Sequence, residues 1–96
     1  MEIRINSADG EILGVFSLEP DSIAAKRCGV GFNPSKSRAN DRIKALCCTA
    51  MQDIVTHEQA RENTEETQRC FRIAAEHLEA AQMFAVKGIA HKERTK

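Results

Sequence analysis

The first eighteen residues carry the hydrophobic pattern of a β-hairpin. Ile3 and Ile5 alternate with polar neighbours, which is the period-two pattern of a strand. An Asp-Gly pair then signals a tight turn, and the apolar-rich run 11–18 follows as a second strand. Pro20 ends this strand because proline lacks the N–H that a sheet needs. An isolated hairpin is only marginally stable in water, so we expect this one to pack on the rest of the chain.

Residues 19–38 have the composition of a linker, with one short helical turn predicted at 21–27. Two glycines and the segment Phe32-Asn33-Pro34-Ser35 follow that turn, and Phe32 stands out as a large aromatic among turn-forming residues. We therefore predict two units. The first, 1–31, comprises the β-hairpin and linker, and the second, 32–96, is helical.

Apolar residues in the second unit recur at intervals of three and four, which predicts two helices. Asn40 or Asp41 is in position to cap the first helix. The polar segment 57–67 is expected to hold the turn between the helices, with Thr64 or Thr67 capping the second helix. The predicted fold is mostly α: an antiparallel helical hairpin preceded by a short β-hairpin.

The second helix, predicted over 65–91 with a frayed tail over 91–96, is richer in apolar residues than one partner helix can cover. One stripe is expected to pack on the first helix: Phe71, Ala74, Leu78, Ala81, Ala85 and Ile89. Four further apolar residues lie outside that stripe: Ile73, Ala80, Met83 and Phe84. Because a helical hairpin cannot bury both sets, we expect the chain to form a homo-oligomer through its helices.

Composition narrows the classes of function. The chain has 96 residues, and its 14 Lys and Arg balance 14 Asp and Glu. A net charge of zero argues against a protein that wraps duplex nucleic acid, and the absence of Tyr and Trp argues against a base-stacking platform for single strands. No apolar run is long enough for a membrane span or a signal peptide, so we expect a cytoplasmic protein.

The four cysteines form no C-x-x-C pair. Cys47 and Cys48 are adjacent, and neighbours on one helix cannot both face a single metal or disulfide partner. We therefore expect free thiols that fill the core as small apolar side chains, with no metal site.

The sequence also lacks the recognised catalytic motifs, and its three histidines stand apart from any nucleophile. Nothing in the pattern assembles a nucleophile, a base and an orienting group. We therefore predict a protein that is not an enzyme, with no catalytic residue and no cofactor.

Cationic residues near the helix starts point instead to binding. Arg38, Arg42 and Lys44 cluster at the start of the first helix, close behind Phe32, and Arg69 lies at the start of the second. Arginine binds phosphate through two parallel hydrogen bonds, and a phenyl ring or guanidinium plane stacks on a base. These residues are typical of a site for a compact phosphate ester that carries a base. Ordinary solubilising charges on a helix surface are the alternative.

These residues lie in a region that resembles a known protein family. The region 32–91 resembles the helical-hairpin domain of phage anti-CBASS and anti-Thoeris proteins, which are cyclic-nucleotide sponges. Three features carry the resemblance: the F-N-P-S opening, the R-I-K in the first turns of helix one, and the L-E-x-A-x-M-x-A-V-K near the end of helix two. The N-terminal hairpin, 2–18, lies outside the matched region.

The resemblance implies a protein that performs no chemistry. It would bind cyclic dinucleotides, cyclic trinucleotides or cyclised ADP-ribose signals and hold them away from their effectors, as an oligomer, commonly a hexamer, with pockets between protomers. It implies that Lys44 contacts base or phosphate, that Phe32 stacks on a base, and that Arg69 contacts phosphate in a second type of pocket. Three further ligand contacts are implied because they lie close to these residues in the sequence: Asn33, Ser35 and Arg42.

Two other functions remain open. In the first, the chain is a small protein–protein adaptor whose apolar band on helix two binds a different partner, with no nucleotide ligand. In the second, it binds nucleic acid through Arg38, Arg42 and Arg69, which the zero net charge disfavours. A stable monomer without nucleotide binding would indicate the adaptor, and salt-sensitive binding to oligonucleotides would indicate the nucleic-acid binder.

Overall fold

A two-stranded sheet precedes three helices in the computed structural model, which describes residues 2–19, 21–30 and 36–94. The elements are β1 (Glu2–Asn6), β2 (Ile12–Ser17), α1 (Ile23–Cys28), α2 (Arg38–Glu58) and α3 (Glu65–Arg94). The predicted fold class is confirmed, because an antiparallel β-hairpin leads into a mostly helical chain dominated by the hairpin of α2 and α3.

The β-hairpin forms where the alternating pattern predicts it. Ile3 pairs with Phe16 across the two strands, so both side chains lie on the same face of the sheet. In the turn, the Ser7 N–H donates to the Glu11 carbonyl at 2.7 Å, and the Ser7 hydroxyl accepts from the Glu11 N–H at 3.0 Å. Gly10 has a φ of 90°, a left-handed conformation that glycine adopts without strain.

Helix α1 occupies the segment predicted to be a linker with a helical turn at 21–27. Ser22 caps it, because its hydroxyl accepts from the Ala25 N–H at 3.1 Å, and Gly29 ends it with a φ of 66°. Three of its side chains are buried: Ala24, Ala25 and Cys28. This segment therefore supplies part of the core. The predicted boundary between units at 31/32 lies outside the described residues.

Helix α2 begins earlier than predicted, and the predicted caps are wrong. Ser37 is the N-cap, since its hydroxyl accepts from the Asn40 N–H at 3.2 Å and its carbonyl from the Asp41 N–H at 3.1 Å. Ser37 has the extended backbone of a cap, whereas Asn40 and Asp41 are already helical. In that first turn the carboxylate of Asp41 suits the positive end of the helix dipole.

The turn between the long helices falls where the polar segment predicts it. The Asn63 side-chain amide donates to the carbonyls of His57 and Glu58, at 2.6 and 3.0 Å, which satisfies the end of α2. Thr64 then caps α3, because its hydroxyl accepts from the Thr67 N–H at 3.1 Å. Of the two predicted caps, Thr64 is the one that the structure confirms.

The C-terminal end of α3 is longer than predicted. The helix continues to Arg94, so the expected fraying of 91–96 is wrong for residues 91–94. The Ser37 hydroxyl donates to the Glu93 carboxylate at 2.5 Å, which joins the last turn of α3 to the first turn of α2. At the other end of the hairpin, Arg72 lies 3.7 Å from Glu58. These two contacts mark the two ends of the antiparallel pair.

The packed face of α3 is rotated relative to the predicted stripe. Ala74 and Ala81 are exposed, whereas Ala75 and Gln82 are buried. The reason is that α1 also packs against α3, so the covered face turns toward two helices rather than one. The other members of the stripe are half-buried: Phe71, Leu78, Ala85 and Ile89. In the second apolar set, Ile73 is half-buried, and three residues are exposed: Ala80, Met83 and Phe84.

Small side chains dominate the core, which lies where α1, α2 and α3 meet. Its buried apolar residues are Leu18, Ala24, Ala25, Cys28, Ala45, Cys48, Met51 and Ala75. Cys28 and Cys48 act as apolar fillers, as predicted, but Cys70 is exposed and does not. Among the described helices, none combines the length and apolarity needed to cross a membrane.

Candidate ligand site

A cleft of about 470 Å³ opens where α1, α2 and α3 meet near the end of α1. We call it the cationic cleft, because three of its eight lining residues are basic. The lining residues are Lys26, Arg27, Cys28, Gly29, Lys44, Gln82, Met83 and Val86. Lys26 and Arg27 of α1 and Lys44 of α2 are brought together here by the packing of α1 on the helical hairpin.

Lys44 is the most enclosed cation of the cleft. The residue is only 8 % exposed. Its Nζ atom lies 3.9 Å from the point that a Cβ on Gly29 would occupy. This is an ordinary contact distance, so glycine is favoured at position 29 by its left-handed backbone, with a φ of 66°, and not by a need for space beside Lys44.

Arg27 is held by a carboxylate of another helix. Its guanidinium forms an ion pair and a hydrogen bond with Glu79, and both side chains are about one-third exposed. This ion pair joins α1 to α3 and neutralises one of the three cationic groups of the cleft. Lys26 and Lys44 are the other two basic side chains of the cleft.

Asn40 lies one helical turn before Lys44, on the same face of α2. It is 7 % exposed, and its Oδ1 accepts no hydrogen bond from the described residues. A buried acceptor without a donor is uncommon in folded proteins. Side chains four residues apart on a helix lie one above the other, so this open acceptor is a neighbour of the Lys44 side chain.

Arg42 does not share the cationic cleft. Residues two apart on a helix point about 200° from each other, and Arg42 accordingly faces away from Lys44. Together with Arg38 it lines a different cleft, of about 430 Å³, between β1 and α2. The cationic cluster predicted at the start of α2 is thus divided between two surfaces.

Arg69 lies far from both clefts. It is exposed at the start of α3, where its guanidinium forms an ion pair with Glu66 at 3.3 Å. The start of α3 lies beside the end of α2, and fourteen residues of α2 separate Lys44 from Glu58, which corresponds to about 21 Å. Within one protomer, Arg69 and Lys44 therefore belong to separate surfaces.

The other predicted contacts, Phe32, Asn33 and Ser35, lie outside the described residues. Of the eight residues that line the cationic cleft, only Lys44 was predicted as a site residue, and the polar ones that were missed are Lys26, Arg27 and Gln82. A signal for them was present, since Lys26 and Arg27 are adjacent cations near a glycine, and Gln82 interrupts an apolar run. Gln82 is 5 % exposed, which places an amide among the apolar side chains of the cleft.

His57 has a structural position at the end of α2. Its ring stacks on Phe71, with centroids 5.3 Å apart and planes inclined by 13°. Asp53 lies 3.8 Å from its Nε2 atom. The ring therefore helps to pack α2 against α3 near the turn.

None of the family models, curated proteins or solved structures with which the chain was compared matches it significantly.

Proposed function

We propose that the chain is a non-enzymatic phage anti-defence sponge, which binds and sequesters cyclic nucleotide immune signals and so blocks CBASS or Thoeris immunity in the host cytoplasm. The observation that carries the proposal is the cationic cleft, in which Lys44 is nearly buried and Lys26 lies close by. The resemblance of the region 32–91 to sponges of this type supports it.

The chemistry of the cleft suits a nucleotide. A volume of about 470 Å³ falls in the range typical of small-ligand pockets. Lysine ammonium groups can neutralise phosphodiester oxygens, and the amide of Gln82 offers both donors and an acceptor to a base edge. Met83 and Val86 provide apolar contact for the face of a base.

Self-association is part of the proposal. Met83 and Phe84 are 68 % and 71 % exposed, a high exposure for adjacent large apolar side chains. We propose a homo-oligomer, with a hexamer as the expected form, in which a neighbouring protomer covers this band of α3. Met83 also lines the cationic cleft, so a protomer docked there would help to enclose the ligand.

Calorimetric titration tests the proposal. The purified chain is titrated with cyclic dinucleotides, cyclic trinucleotides and cyclised ADP-ribose isomers, and bound ligand is then released by heat and identified by chromatography. We expect tight binding of at least one signal and its recovery intact. Absence of binding by the folded chain, or recovery of a hydrolysed product, would overturn the proposal.

Variants locate the site. Lys44→Ala and Phe32→Ala are each expected to abolish tight binding. Because Lys44 is buried, Lys26→Gln is the safer variant, and loss of one charge-assisted contact should weaken binding by about tenfold. Arg61→Gln, in the exposed turn after α2, is the matched control and should bind as tightly as the wild type.

A protein–protein adaptor is the second candidate, because the exposed pair Met83 and Phe84 would equally suit a different protein. It predicts a monomer in isolation and no nucleotide binding. Light scattering distinguishes the two functions: a mass near six times 10.7 kDa counts against the adaptor.

A further inference from the structure

A groove runs between β1 and α2, on the side of α2 that faces away from Lys44. It consists of two adjoining clefts, of about 430 and 550 Å³, which share Ile3 and Leu46 as lining residues. We call it the β1–α2 groove. It is separate from the cationic cleft, although it includes Arg42, which the resemblance implies as a ligand contact. It also involves the N-terminal hairpin, to which the proposed function assigns no role.

One wall of the groove is strand β1. Residues 3–6 all line it, together with Phe16 of β2, which shares a face of the sheet with Ile3. Because successive side chains in a strand point to opposite faces, one sheet face and the backbone of β1 both border the groove. Within the described residues β1 pairs with β2 alone, so its second edge has no strand partner. The N–H and C=O groups along such an edge can pair with an added strand.

The other wall is one face of α2. Leu46, Thr49, Ala50 and Asp53 follow the spacing of three and four residues that places them side by side. The middle of the groove is apolar: Leu46 is 50 % exposed and Ile5 39 % exposed. Partly covered apolar side chains between a strand edge and a helix are the setting in which extended peptides bind by strand addition.

Charge differs between the two ends of the groove. Arg38 and Arg42 lie at the start of α2, with Asp41 between them, and neither arginine forms an ion pair with a described residue. Asp53 lies at the other end. From Arg42 to Asp53 the helix rises by about 17 Å, which matches about five residues of extended strand.

From this arrangement we infer that the β1–α2 groove binds an extended peptide segment of a partner protein. The segment adds a strand to the free edge of β1, inserts alternate apolar side chains toward Leu46, and places an acidic residue against Arg38 and Arg42. Main-chain hydrogen bonds would provide affinity, and the charged ends would fix the direction of the segment.

A second copy of this chain fits the groove less well. If two β1 strands paired antiparallel over their full length, Arg4 would lie opposite Arg4 of the copy. Glu2 of the copy would lie opposite Asn6, at the end that holds Asp53. Like charges directly opposite each other, or at one end of a groove, destabilise the pairing. The charges therefore favour a partner of different sequence.

Selection from a random library of displayed nonapeptides tests the inference on the full chain. We expect enriched peptides to alternate apolar and polar residues and to carry an acidic residue at one end. A synthetic copy of an enriched peptide should bind, and methylation of its alternate backbone nitrogens should abolish binding because strand pairing needs those N–H groups.

Two variants connect the peptide to the groove. Leu46→Asp, at a half-exposed position where folding should be retained, is expected to abolish peptide binding. Arg42→Gln should weaken it by about tenfold, as expected for one charge-assisted contact, and Arg61→Gln should have no effect. Circular dichroism verifies that each variant folds.

Three outcomes would overturn the inference: no enrichment, equal enrichment on the Leu46→Asp variant, or a fall in oligomeric mass caused by that substitution. The last would identify the groove as a contact between copies of the chain. Cyclic nucleotide binding is measured in parallel with Lys26→Gln, so failure of the peptide site is distinguishable from failure of the sponge.

Discussion

Replacing Met51 with alanine tests whether the three-helix contact holds the fold together. Among the residues that the structure describes, Met51 is the largest fully buried side chain, with 0 % exposure, and it belongs to a core otherwise made mostly of alanine and cysteine. Such a core has few large side chains that could shift to fill a vacancy. Loss of Met51 should therefore leave a cavity rather than a repacked interior.

The expected cost follows from what is removed. Truncation of methionine to alanine deletes three heavy atoms, and their transfer to water accounts for about 2 kcal/mol. The unfilled cavity adds to this, so the free energy of unfolding should fall by about 3 kcal/mol, within the usual range of about 2 to 5 kcal/mol. A chain of this length is typically stable by about 5 to 14 kcal/mol, so the variant should still fold.

Urea denaturation, followed by circular dichroism, measures the effect. With a denaturant slope of about 2 kcal/mol/M, the midpoint should fall by about 1.5 M. Met83→Ala is the matched control: the same substitution at 68 % exposure should cost less than about 0.5 kcal/mol in dilute protein. If Met83 lies in a contact between protomers, its cost should grow with protein concentration, whereas that of Met51 should not.

A loss below about 1 kcal/mol for Met51→Ala would refute the reasoning, because a closed three-helix core cannot lose three buried heavy atoms at so small a cost. Equal losses for Met51→Ala and Met83→Ala in dilute protein would also contradict it. That result would mean that exposure in the isolated chain does not decide which methionine stabilises the fold.

Two further predictions concern a buried thiol and a helix cap. Burial, together with the neighbouring thiol of Cys48, raises the pKa of Cys28 from 9.0 to about 12. The unfolded chain loses the Cys28 thiol proton above pH 9, whereas the folded chain keeps it until about pH 12. The free energy of unfolding is therefore unaffected by this group below pH 9 and falls as the pH rises toward 12, by up to about 1.4 kcal/mol per pH unit. Denaturation at several pH values should show this slope, and Cys28→Ser should reduce it. Thr64→Ala removes the cap of α3 and should cost about 1 kcal/mol in the same assay, whereas Thr56→Ala, within α2, should be neutral or slightly stabilising.

The elements of the fold were predictable because each carries a local signal. Alternation around Ile3 and Ile5 predicts β1, and helical spacing predicts α2 and α3. The first residue of α2 was not predictable, because several residues near it are good N-caps. Only the structure shows which of them has the extended backbone of an N-cap. Serine at position 37 competes with Asn40 and Asp41 on nearly equal terms in the sequence, so local propensity cannot choose among them.

The candidate site was less predictable, because it depends on how helices pack. Lys44 was predicted from its place at the start of α2, but Lys26 and Arg27 reach the cleft only because α1 folds back onto α2 and α3. The exposure of Ala81 and the burial of Gln82 have the same origin, since α1 turns the covered face of α3. A pattern that assumes one partner helix cannot show this rotation.

Helix α2 separates the two proposed binding surfaces, and this separation can be tested by mutagenesis. Lys44 and Arg42 are only two residues apart, yet they serve surfaces on opposite sides of one helix. A rigid helix transmits little change from one side to the other when neither side rearranges, and energies of sites without shared partners generally add. Lys26→Gln should therefore leave peptide binding unchanged, and Arg42→Gln should leave nucleotide binding unchanged. The double variant should lose both by the amounts of the single variants. If Arg42→Gln weakened nucleotide binding, the division of the two surfaces by α2 would be wrong, and both cations would have to meet one ligand across a contact between protomers.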